Sequence, residues 1–249
     1  MNNGITNLNH AKIWNDGDPI ALDDFATASE SARVTCHFRN VRDALVGYIN
    51  RYDYMVGCVA WLTDPVILRA LATRCGVSII VQKEDFLRPD CDEMPYLRKL
   101  YESIGAGFNR WDFEGLLGSM SVCSDPTLDA IRCVGNHNSS KSPAHPRAHH
   151  KFLVFGRMSD PSEDGRAQRA AEEPDYVDDG YGQVFVPEAV WTGSFNFTVN
   201  GGKSLENSVF IEDSAIARAY ANEFSQVAAL SEPLNWQDPW CSPEWRCGT

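Results

Sequence analysis

The chain has 249 residues, 43% of them hydrophobic and 22% charged, enough for one sizeable core and without a composition break that forces a second domain. A formal net charge of −12 and a sequence pI of about 4.9 exclude a general polyanion-coating role unless cations are gathered locally, because phosphate contacts need Lys and Arg. The first 32 residues are polar, lack a basic-then-apolar leader pattern and hold no run near membrane-spanning length, so a soluble, cytoplasmic protein with no membrane partner is expected.

In chain order, residues 1–32 read as an N-terminal extension. Asn40 to Tyr52 carries Val41, Leu45, Val46 and Ile49 at helical spacing. Met55 to Trp61 reads as a strand, after which Asp64-Pro65 offers an N-cap and a first-turn proline for a helix over Val66 to Arg74. Gly76 suits the stop of that helix, and Val77 to Val81 is a buried strand. The helix-strand-helix-strand order favours an α/β architecture. An insertion over about 84–124 contains a helix near Pro95 to Ile104, then Trp111 and Phe113, which either offer a stacking surface or pack the insertion onto the core.

The chemistry gathers later. Phe152-Leu153-Val154-Phe155 is an apolar run of strand type, and strand alternation turns His149 and Lys151 to one face and His150 to the other. One face then carries a nucleophile or acid beside a cation. Val190-Trp191-Thr192 is a second buried strand running into Gly193, after which Ser194 and Asn196 present hydrogen-bonding groups suited to phosphate oxygens. Glu206 precedes a further apolar run, Val209-Phe210-Ile211, from which a carboxylate can orient an imidazole. His137 and His145 lie in a Pro/Ser/Asn-rich loop and are read as solvent-exposed.

Charge is distributed unevenly along this half. From Ile131 to Gly156 the chain holds Arg132, Lys141, Arg147 and Lys151 and no carboxylate, which makes the approach to the motif basic. From Arg157 to Glu188 nine acids face three arginines, within an insertion over about 157–182 whose composition is that of a surface loop, or of an acidic guard over the basic approach. Residues 231–249 form a tail with Trp236, Trp240 and Trp245, read as clamped onto the domain or an interface. The eight cysteines include no Cys-x-x-Cys pair. Cys58 and Cys133 read as buried reduced thiols, and a zinc site built from Cys241, Cys247 and Cys36-His37 is the weaker alternative.

His149-x-Lys151, Gly193-Ser194-x-Asn196 and the trailing Leu205-Glu206-Asn207 resemble the motifs of the phospholipase D superfamily, His-x-Lys-x4-Asp, Gly-Ser-x-Asn and Asn-x-Glu-Asn. Gly156 stands where the family has Asp, and Ser204 where it has Asn. The resemblance covers roughly 33–85 and 130–230 and implies a phospholipase D-like mixed β-sheet flanked by helices, one α/β domain over 33–230 with two insertions. It implies a metal-independent phosphodiesterase with no cofactor, in which His149, Lys151, Asn196 and Glu206 are catalytic and Lys151, Ser194 and Asn196 bind phosphate. Since only one motif set occurs, the resemblance also implies a homodimer sharing one site. The expected partner is nucleic acid, DNA or RNA, with any activating protein unspecified. A phospholipase or phosphatidyltransferase, and a non-catalytic nucleic-acid-binding module of the same fold, are the alternatives.

Overall fold

The computed structural model describes residues 12–15, 18–21, 26–29, 31–84, 87, 95–113, 117, 127–135, 147–159 and 183–234. The N-terminal half contributes β1 (Lys12–Asn15), β2 (Asp18–Ala21), β3 (Thr27–Ser29), β4 (Val34–His37), α1 (Val41–Ile49), β5 (Tyr54–Val59), α2 (Pro65–Leu71), β6 (Gly76–Gln82) and α3 (Pro95–Glu102). Then come β7 (Phe108–Asn109), β8 (Thr127–Leu128), β9 (Ile131–Val134), β10 (Lys151–Ser159), β11 (Val184–Gly193), β12 (Ser208–Ile211), α4 (Ser214–Ala229) and β13 (Glu232–Pro233).

Nine strands form one mixed sheet in the order β13-β9-β6-β5-β10-β11-β12-β4-β3. β5, β6 and β9 run parallel, β13 pairs antiparallel to β9, and from β5 through β10, β11, β12, β4 and β3 every neighbour is antiparallel. The architecture is the mixed α/β sheet with flanking helices that the sequence led us to expect.

Period-two alternation sorts the central strands into two cores. Met55, Val59, Leu153, Phe155 and Trp191 share a cluster with Leu45 and Ile49 of α1 and Leu68 and Leu71 of α2. Val56, Cys58, Phe152, Val154 and Val190 share the other with Ala217, Ala221, Phe224 and Ala228 of α4. Both faces being covered, these strands read as continuous apolar runs. Leu153 is fully buried, and its truncation to Ala would cost roughly 3 kcal/mol.

Local chemistry fixes the helix starts. Asp64 Oδ1 accepts from the Val66 amide at 2.8 Å ahead of Pro65, and Asp213 Oδ1 accepts from the Ile216 amide at 2.9 Å at the head of α4. Gly76 does not act as a helix stop: α2 ends at Ala72 in ordinary right-handed geometry, and Gly76 opens β6, where a Cβ would lie 2.6 Å from the Tyr54 ring. Cys58 and Cys133 are buried on strands β5 and β9. Among the described residues no helix is long and apolar enough to cross a membrane.

Candidate active site

The His-x-Lys segment crosses the ends of two parallel strands before it joins the sheet. The Ala148 amide donates to Gln82 Oε1 at 2.8 Å, and the Ala60 amide donates to the His150 carbonyl at 2.8 Å. Strand pairing begins at Lys151, opposite Val59. Lys151 is only 7% exposed, and its Nζ donates to the His149 carbonyl at 2.9 Å. Burial lowers its pKa, while the Glu206 carboxylate acts in the opposite sense. His149 is exposed, with its ring edge-on to Trp61 at 5.7 Å. Desolvation lowers its pKa, and the charges of Lys151, Arg147 and His150 lower it further, so the neutral imidazole is favoured.

His150 lies on the α4 side, as alternation predicts. Its ring meets Phe152 edge-on at 5.8 Å, and its Nε2 stands 3.5 Å from Glu223 of α4. It remains exposed, so it sits at the rim of that layer and is not packed within it.

The second motif arrives on the adjacent strand. Phe152 faces Thr192, and Gly193 faces Ser208. A Cβ at Gly193 would lie 2.2 Å from the Asn207 carbonyl oxygen, so only glycine lets the 205–207 segment close on the strand end. There the Ser194 amide donates to the Asn207 carbonyl at 2.9 Å, and the Asn207 amide donates to Ser194 Oγ at 3.1 Å. Ser194 Oγ in turn donates to Glu206 Oε2 in a short hydrogen bond. Among the described residues no hydrogen bond joins Glu206 to His149; the carboxylate holds Ser194, and its charge acts on Lys151. Asn196 is fixed between Phe195 and Phe197, both fully buried, and the Phe197 carbonyl accepts from the Thr63 and Asp64 amides at 2.8 and 2.9 Å. Asn196 Oδ1 is buried and meets no hydrogen-bond partner among the described residues.

No protein-family model matches the chain. The uncharacterized protein L381 of Acanthamoeba polyphaga mimivirus is 30% identical over 218 residues, which span 81% of this chain and 67% of that one. The chain belongs to the family of that protein. Solved structures similar to it include Nuc from Salmonella typhimurium, a phospholipase D family member, at TM-score 0.42 and 15% identity, covering 80% of this chain and 95% of that one. NucT from Helicobacter pylori matches at TM-score 0.42 and 9% identity over 85% of this chain and 98% of its own. Phosphatidylserine synthase of Haemophilus influenzae matches at TM-score 0.36 and 11% identity, over 80% and 40%. These overlaps are partial, and the weight of the phospholipase D resemblance falls on the motif residues themselves.

The departure at Gly156 has a packing cause. Strand pairing between β10 and β11 shifts register between Phe155 and Gly156, and a Cβ at Gly156 would lie 2.2 Å from the Val186 carbonyl oxygen and 2.9 Å from the Phe185 ring. An aspartate has no room there.

The structure also redraws the charge map. Arg132, counted from sequence among the cations of the approach, is fully buried on β9, where it pairs with Asp129 at 2.6 Å and donates to Ser231 Oγ at 2.7 Å. Arg147 does stand at the site, 3.7 Å from Glu84 and with its guanidinium 5.9 Å from the Trp61 ring centroid. Trp61 and Glu84 were not read as site residues, because Trp61 looked like the last residue of a strand that in fact ends at Val59. His137, His145, Lys141, the 160–182 stretch of the acidic insertion, and the tail tryptophans lie outside the described residues. Among the described residues no three His, Cys, Asp or Glu side chains gather to hold a metal ion.

Proposed function

We propose that the chain is a phosphodiester hydrolase, a nuclease on DNA or RNA, that works through a phosphohistidine in a site shared by two copies. What supports this most is the convergence of His149, Lys151, Ser194, Asn196 and Glu206 at one end of adjacent strands, with a histidine whose neutral form is favoured beside a buried ammonium. His149 attacks phosphorus, forming a P–N bond as the P–O bond to the leaving oxygen breaks. The protonated His149 of the second copy gives its proton to that oxygen, then takes one from the water that attacks phosphorus and breaks the P–N bond. Lys151, Ser194 and Asn196 bind the non-bridging oxygens and balance the added charge. Substrate oxygens competing for Ser194 Oγ free the Glu206 carboxylate to orient an imidazole.

Cleavage of labelled single-stranded DNA, duplex DNA, RNA and a short-chain phospholipid in excess chelator tests this. Nucleic-acid cleavage by the native protein, lost on the order of 10⁴-fold in His149→Ala with the oligomer intact by sedimentation, is expected. Loss of cleavage on chelation sinks the histidine mechanism, and turnover of lipid alone makes the protein a phospholipase. A monomeric active enzyme sinks the shared site.

A further inference from the structure

Trp61 sits just past the end of β5, between Ala60 and Leu62, which are 2% and 0% exposed. It differs from both in being only half-buried, and its orientation is set by polar contacts. The indole Nε1 donates to Glu84 Oε1 at 3.3 Å, beyond the end of the neighbouring strand β6. The same carboxylate oxygen lies 3.7 Å from Arg147, whose guanidinium stands 5.9 Å from the indole centroid, at the outer limit of cation–π range. The other neighbour of the indole is the reacting residue, with the His149 ring edge-on at 5.7 Å. One carboxylate therefore stands beside both an aromatic plane in contact with the imidazole and a planar cation beside that plane.

We propose that Trp61 and Arg147 form a shelf on which an unpaired nucleobase stacks, next to the phosphate held at His149. This rests on the phosphodiesterase reading and narrows it: the substrate is a polynucleotide with an unstacked base beside the scissile bond, single-stranded or opened at that point. A base joined through its sugar to a phosphate at His149 is within reach of a ring this close to the imidazole. Stacking on indole is tolerant of base identity, since every base has a π-face, so the shelf selects strandedness and not sequence. A paired base inside a duplex keeps both faces covered by its neighbours and cannot use the shelf without being extruded. Glu84, 3.7 Å from Arg147, keeps that charge beside the indole.

The test measures binding, in a protein that cannot turn over. His149→Asn protein is titrated with a labelled oligothymidylate and with the same strand carrying abasic residues in place of its bases. The intact strand should bind roughly 10-fold more tightly. Adding Trp61→Leu should erase that preference and leave the affinity for the abasic strand unchanged, while Trp61→Phe should keep most of it. Equal affinity for the two strands before Trp61 is altered overturns the shelf. So does a Trp61→Leu change that weakens both strands alike, which marks a purely structural ring. Cleavage by the native protein separates this from the wider reading. If strands are cleaved but the base preference is absent, the shelf fails and the phosphodiesterase stands; if no strand is bound or cleaved, both fail.

Discussion

Two lysines of this chain lie buried on the same sheet, and their surroundings could hardly differ more. Lys83, at the end of β6, is fully buried, and its ammonium makes a short ion pair with Glu232 of β13. Beside it Arg132, equally buried, is met by Asp129, Ser231 Oγ and the Ser231 carbonyl. Lys151, 7% exposed, reaches only the His149 carbonyl by hydrogen bond, and among the described residues no carboxylate stands within ion-pair distance of its Nζ. Burying a cation is costly unless a counter-charge meets it. The first pair of cations is met by the fold itself and clasps a sheet edge; the last has no carboxylate at ion-pair distance among the described residues, which suits the phosphate-binding role proposed for it.

Replacing each lysine with methionine is the most direct way to break this comparison. Lys151→Met should lower kcat by roughly 10²–10³-fold, the scale of one lost charge-stabilising donor, and leave the melting temperature unchanged or raised, because a desolvated charge has been removed. Lys83→Met should do the reverse: about 3 kcal/mol of stability lost in denaturant titration, as Glu232 is left facing an apolar group, with cleavage retained. Adding Glu232→Leu should recover much of that stability. If both single variants lost stability and activity together, the two sites would not differ in kind.

The same contrast explains how much was legible in the sequence. Motif residues sit at strand ends, where alternation fixes direction locally, so the turning of His150 to the face away from Lys151 followed from the chain alone, whereas the closure of 205–207 on Gly193 is visible only in the structure. Partners of buried charges are set by contacts that no local period announces. Arg132 lay within a stretch without carboxylates and so counted as an approach cation, yet Asp129, just outside that stretch, pairs with it, and Ser231, 99 residues on and just before β13, supplies a hydroxyl. Trp61 and Glu84 were missed for the same reason: what makes them a site is that 147–150 lies across the ends of β5 and β6, and no local period announces that crossing.

A charge placed where nothing can meet it sharpens the point. Gly156→Asp installs on β10 the residue that the phospholipase D motif has at this position, but its Cβ would collide with the Val186 carbonyl and the Phe185 ring. We expect a loss of about 2 kcal/mol or more in denaturant titration and no gain in turnover. Unchanged stability would mean that the β10–β11 bulge adjusts freely, and that Gly156 is not a packing requirement.

Proton affinity gives a finer reading of the charge at Lys151. The His149 pKa is lowered chiefly by desolvation and next by Lys151, so Lys151→Met should raise the titration midpoint of His149, followed by its ring proton resonances, toward the ordinary 6.5 without reaching it. In the proposed shared site the two imidazoles should give a bell-shaped rate profile whose limbs belong to the pair. For stability the sign is fixed. A histidine depressed in the folded state takes up its proton less readily than the unfolded chain does, so the stability it contributes is present above about 6.5 and is lost as pH falls through its lower folded value. A midpoint that does not move in Lys151→Met would show that the ammonium does not act on His149.

The smallest effect belongs to Trp111, which with Trp61 is one of two partly exposed tryptophans among the residues whose burial is described. Trp111 is 49% exposed on the turn after β7, between Arg110 and Asp112, both buried, and Phe108 of β7 packs against Tyr54 at 5.8 Å. Tyr54 begins β5, whereas Lys151 pairs with Val59 at its end, so this ring stands at the end of the sheet away from His149. Phe113, 6% exposed and in contact with Phe185 and Phe224, does the work of docking the insertion onto the α4 face. Trp111→Ala should therefore cost below about 1 kcal/mol and leave strand binding and cleavage unchanged, in contrast to Trp61→Leu. Both are partly exposed tryptophans two residues past a strand end, so only position separates them. A loss of strand affinity in Trp111→Ala equal to that in Trp61→Leu would mean that the polymer runs the length of the sheet, and that nearness to His149 is not what gives Trp61 its role.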